Sequence, residues 1–72
     1  MQVKVRFHGV VGCSLTERWY ASEDDAETYL RAIGYDARSN VMHVGAEFPN
    51  KDGTRVAKVV MLKPEQGEQE NG

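Results

Sequence analysis

Apolar and polar residues alternate strictly over positions 2–9: Val3, Val5 and Phe7 fall in one phase, Lys4, Arg6 and His8 in the other. A period of two is the mark of a strand with one buried face. Gly9 to Ser14, holding Gly9 and Gly12, reads as a turn, and Leu15 to Ala21, with Thr16, Trp19 and Tyr20, as a second strand. So short a connection makes the pair an antiparallel hairpin. At Ser22 the period changes. Ala26, Tyr29, Leu30 and Ile33 recur at i, i+3, i+4 and i+7, an apolar stripe on a helix over about residues 23–33. Ser22 is an N-cap, and Asp25 three residues later approximates a capping box. Glu23, Asp24 and Asp25 suit the positive end of the helix dipole, Arg31 suits the last turn, and Gly34 ends the helix as its C′ residue.

The remainder predicts two more strands. Tyr35 to Asn40 is a polar connection, followed by a strand from Val41 to Phe48 with Met42, Val44, Ala46 and Phe48 on one face. Pro49 to Gly53 is a hairpin loop in which Asp52-Gly53 supplies the positive φ such loops need. Thr54 to Lys63 is the last strand. It is apolar on both faces near its end, which predicts a central position or a partly covered second face. Pro64 stops it, and Pro64 to Gly72, with no aliphatic or aromatic residue, predicts a disordered acidic tail. The order is ββαββ. One α+β domain over residues 1–63 is expected, a two-layer sandwich of one helix on a four-stranded, mainly antiparallel sheet. The pattern leaves the strand order open, and also whether Trp19 or Tyr20 points inward. With only one helix, the second face of the sheet must meet solvent or a partner.

Composition narrows the setting. A chain of 72 residues has a thin core. The lone Cys13 excludes an internal disulfide and suits a reducing compartment. Apolar stretches are short and interrupted by charge, so no membrane-spanning helix is expected. The N-terminus shows strand alternation in place of the apolar run of a leader, so a cytoplasmic location is expected. The net charge of −2 hides a segregation. Acids gather at Glu23, Asp24, Asp25 and Glu27 and in the tail, at Glu65, Glu68 and Glu70, whereas most bases fall in strands.

Catalytic and cofactor chemistry find little footing in these residues. Cys13 with His8 or His43 lacks an orienting group behind a thiol–imidazole pair, and no paired-ligand spacing of a metal site is present. His8 and His43 are expected on the polar faces of strands. The acids at 23–27 lack the alternating ligands and mid-loop glycine of a calcium loop, so the helix dipole accounts for them. Gly9, Gly12 and Gly34 form no phosphate-binding pattern. No enzyme activity and no cofactor are expected.

The strand cations carry the functional expectation. Lys4, Arg6 and His8 share one side of the first strand, Arg18 and Trp19 belong to the second, and Arg55 and Lys58 to the fourth. Together they make the candidate partner-binding set. Bases interleaved with aromatics suit a protein interface or a nucleic-acid platform, while a solvated face guarded by charge is the plain alternative. The acidic balance disfavours non-specific nucleic-acid binding. Trp19-Tyr20-Ala21, the Ser22 cap and the helix start Glu23-Asp24-Asp25-Ala26-Glu27 resemble the strand-to-helix junction of small phage-encoded inhibitors of bacterial RNA polymerase. The resemblance covers about residues 15–35. It implies a compact, cofactor-free regulator in a host cytoplasm, binding a host complex such as RNA polymerase. A small nucleic-acid-binding module using the basic sheet face is the alternative.

Overall fold

A computed structural model describes residues 1–9 and 16–64. The turn through Cys13, the first residue of the expected second strand and the tail from Glu65 onward lie outside the described residues. The elements are β1 (Gln2–Gly9), β2 (Thr16–Tyr20), α1 (Glu23–Ala32), a 3₁₀ turn (Ser39–Val41), β3 (Glu47–Pro49) and β4 (Arg55–Lys63). They form a four-stranded antiparallel sheet in the order β2-β1-β4-β3, with α1 on one face. The expected ββαββ two-layer α+β sandwich is therefore the observed one.

Alternation along β1 sets the two faces. Val3, Val5 and Phe7 are buried with Tyr20, Ala57, Val59 and Phe48 beneath the helix residues Ala26 and Leu30. Ser22 Oγ accepts from Asp25 N–H at 3.1 Å and so caps the helix. At the other end Gly34 takes φ +101°. Its N–H donates to Arg31 O at 3.1 Å, and Tyr35 N–H donates to Leu30 O at 2.8 Å. That pair of bonds satisfies the last carbonyls and turns Tyr35 back into the core beside Leu30. There Tyr35 meets Phe7 edge to face, with ring centroids 5.6 Å apart.

Three expectations need correction. First, of the predicted stripe only Ala26 and Leu30 are buried, while Tyr29 and Ile33 are each 59 % exposed. A ten-residue helix touches the sheet along a narrow line; Tyr29 overhangs the sheet edge, against Tyr20 at 5.8 Å, and Ile33 falls beyond the last turn as its C-cap. Second, residues 41–48 do not form one strand. A 3₁₀ turn ends at Val41, the chain turns again at Gly45 (φ +100°), and the strand is only Glu47–Pro49. Met42, Ala46 and Phe48 are buried as expected, but Val44 is exposed and His43 lies outside any strand. Helix contacts hold the chain just before this segment, where Arg31 Nε donates to Ala37 O at 3.1 Å and Ser39 N–H donates to Glu27 Oε2 at 3.3 Å. The segment meets β4 only from Gly45, whose N–H donates to Val59 O at 2.8 Å, while Val59 N–H donates to Ala46 O at 2.9 Å. Third, Pro49 belongs to β3, on the sheet edge where a missing N–H costs no ladder bond. The loop after it closes as expected through Gly53 at φ +73°.

The apolar run Val59-Val60-Met61-Leu62 has a specific cause. Lys4 pairs with Met61 but Val5 pairs with Val59, so Val60 is an extra residue in the ladder. Such a bulge advances the alternation by one position. Val59 faces the core, Leu62 also packs against it, and Met61 and Lys63 turn to the opposite face.

Candidate functional site

The sheet face opposite α1 has no covering layer among the described residues. Register places Lys4, Arg6 and His8 of β1 on it, with Trp19 and Glu17 of β2 on one side. On the other side stand Val56, Lys58, Met61 and Lys63 of β4, and Glu47 and Pro49 of β3 beyond them. Trp19 lies opposite Lys4, whereas Tyr20 lies opposite Val3 and is buried, which decides between the two rings.

Trp19, on the edge strand β2, anchors one side of this face. It is 45 % exposed, and Met61, 43 % exposed, sits across β1 from it. The ammonium groups of Lys4 and Lys63 stand 5.7 and 5.3 Å from the indole centroid. At such distances the negative ring face attracts each cation, which holds two flexible side chains beside one rigid aromatic. Lys4 and Arg6 also share Glu17: Lys4 Nζ lies 3.1 Å from Oε1, and Arg6 Nε donates to Oε2 at 2.8 Å. The hydrogen bond from Arg6 and then that from Lys4 hold the Glu17 carboxyl below its ordinary value of 4.5. Lys58 sits between Arg6 and Glu47 in the ladder. Four formal cations thus meet two carboxylates across the face, leaving it positive, while Glu23, Asp24 and Asp25 lie on the first turn of the helix that covers the other face.

Five of the residues singled out from the sequence, Lys4, Arg6, His8, Trp19 and Lys58, come together here. Arg18 and Arg55 do not. Arg18 pairs with Val5 and Arg55 with Gly9, so both project to the helix side, where they line a groove with Phe7, Thr16, Ile33 and Tyr35. Lys63, Met61 and Glu17 join the face without having been singled out. Strict alternation through β4 hides the first two because of the bulge, and the run of four apolar residues is the one sign of it. Glu17 emerges only when the hairpin register sets it against Arg6.

Among the described residues no three His, Cys, Asp or Glu side chains cluster as a metal site, and no helix is long and apolar enough to cross a membrane. Cys13 lies outside the described residues. Comparison with protein-family models, with characterised proteins and with solved structures finds no match to this chain.

Proposed function

We propose that this chain is a small non-enzymatic binding protein whose uncovered sheet face docks on an acidic surface of a protein partner. The observation that carries this reading is the half-exposed Trp19 between Lys4 and Lys63, beside Met61, on the face that no described residues cover with a second layer. A rigid aromatic anchor ringed by groups that exclude water is the usual make-up of a binding hot spot. The flanking cations speed encounter with an acidic surface and select against basic ones. Bacterial RNA polymerase is the partner to try first, on the resemblance of residues 15–35 to phage-encoded inhibitors, and the chain then acts as a regulator that inhibits or redirects that complex.

The test is binding of the purified chain to RNA polymerase, with transcription from a host promoter as second readout. Trp19→Ala is expected to keep its melting curve and to lose at least about 2 kcal/mol of binding free energy. Normal binding by folded Trp19→Ala overturns the docking face. Binding that depends on Trp19 but goes to another protein in the lysate keeps the face and removes the polymerase.

Trp19 with its two lysines also suits base stacking beside phosphates, the arrangement of single-strand nucleic-acid platforms. Glu17 and Glu47 on the same face weigh against that reading, because they repel a phosphate chain. Salt separates the two: phosphate contacts make log affinity fall linearly with log salt, with a slope set by their number.

A further inference from the structure

Arg18 and Arg55, which the basic face does not use, stand on the walls of one groove on the helix side. The groove holds about 290 Å³ and is lined by Phe7, Thr16, Arg18, Ile33, Tyr35 and Arg55. Phe7 is nearly buried and forms its floor; Tyr35 packs edge-on against it, and Ile33 contributes exposed apolar surface from the end of α1. No carboxylate lines it among the described residues. Neither guanidinium forms an ion pair or a side-chain hydrogen bond with another described residue. Two cations without a described counter-charge, over an apolar floor, form a polarised cavity.

We propose that this groove is an anion-binding site, separate from the basic face, for an aryl phosphate monoester such as a phosphotyrosine side chain. Three features select that chemistry. The charge of a phosphate monoester, about −1.5 to −2 at neutral pH, matches two guanidinium groups where a carboxylate matches one. A single Arg fork occupies both oxygens of a carboxylate, whereas three phosphate oxygens serve two forks at once. The floor of Phe7, Tyr35 and Ile33 takes a ring joined directly to the phosphate. The volume, about 290 Å³, lies just below the ligand-pocket range of about 300–1,000 Å³, and so suits a single ring.

The experiment titrates the full chain with phenyl phosphate, followed by backbone amide NMR. Saturable shifts are expected at Phe7, Thr16, Ile33 and Tyr35. Inorganic phosphate and phenol should each bind at least about tenfold more weakly, because each keeps half of the interactions. Arg18→Ala and Arg55→Ala should each weaken binding roughly fivefold or more with an unchanged melting curve, and Arg18→Lys should restore little, since charge without the fork is insufficient. Acetyl-phosphotyrosine amide should match phenyl phosphate. Adenosine monophosphate, whose ribose separates ring from phosphate, should bind about fivefold or more weaker. Non-saturating shifts, shifts confined to the lysine face, indifference to both arginine substitutions, or equal binding of inorganic phosphate or adenosine monophosphate would each overturn the proposal.

Discussion

Leu30 and Trp19 are both large apolar side chains, and their surroundings give them opposite roles. Leu30 is fully buried between α1 and the sheet, so Leu30→Ala should destabilise by about 2–5 kcal/mol, lost transfer energy plus the cavity left behind. Trp19 is 45 % exposed, so Trp19→Ala should move the melting temperature little. Thermal melts of the two variants side by side check this, and strong unfolding by Trp19→Ala would place the indole in the core. Glu17 offers a titration test at the same scale. Its carboxyl is held below 4.5 in the folded chain, so its contribution to stability is present above that value and lost as pH falls through the lower folded one. Carbon-detected NMR should find its midpoint below 4.5, and Arg6→Gln, which removes the larger cause, should bring it back upward. A Glu17 midpoint unchanged by Arg6→Gln would show that the hydrogen bond does not persist in solution.

Within elements, the ends of α1 are where the chain's own chemistry is most exposed to test. Gly34 sits at φ +101°, and a Cβ placed there would meet nothing within 4 Å. Gly34→Ala therefore carries a conformational cost and no steric one, about 1–2 kcal/mol. Ser22→Ala removes the acceptor for Asp25 N–H and should cost about 1 kcal/mol. Urea titrations should show both losses with an unchanged slope, because neither alters the surface exposed on unfolding. A neutral Gly34→Ala would mean that the helix end relaxes into another cap. These caps were legible in the sequence because they act over three or four residues. Residues 41–48 were not, since alternation at Met42, Val44, Ala46 and Phe48 matches a strand, whereas helix contacts hold the chain at Ala37 and Ser39 and it bonds to β4 only from the turn at Gly45.

Across the whole molecule, charge is split between two layers, with acids on the first turn of α1 and cations on the uncovered sheet face. Such a separation orients the chain as it approaches an acidic surface. Charge reversal would set new carboxylates against Glu17 at Lys4 or Arg6 and against Glu47 at Lys58, so neutralisation, Lys58→Gln with Lys63→Gln, is the cleaner pair. That variant should lower the association rate about tenfold at low salt and progressively less as salt rises. Trp19→Ala should instead raise the dissociation rate. Surface-binding kinetics at several salt concentrations check both. Equal association rates for the charge variant and the native chain would show that the face does not steer encounter.

The fold class, the helix with its caps, the outward row Lys4, Arg6 and His8 and the glycine-closed loop at Gly53 were all determined by the sequence itself. Each rests on local chemistry: a period of two or 3.6, a capping hydroxyl, or a backbone angle that favours glycine. The two hairpin pairings were legible too, but the tertiary structure alone decided how the hairpins join. It brings β1 beside β4, far apart in the chain, and thereby sets Lys63 over Trp19. It also decided that Tyr20 is buried and Trp19 exposed, because alternating neighbours on an edge strand take their faces from the register with β1. The bulge at Val60 decided the rest. One unpaired residue reverses the phase of β4 beyond it, placing Met61 and Lys63 on the outer face, and only the partner strand shows where the extra residue falls.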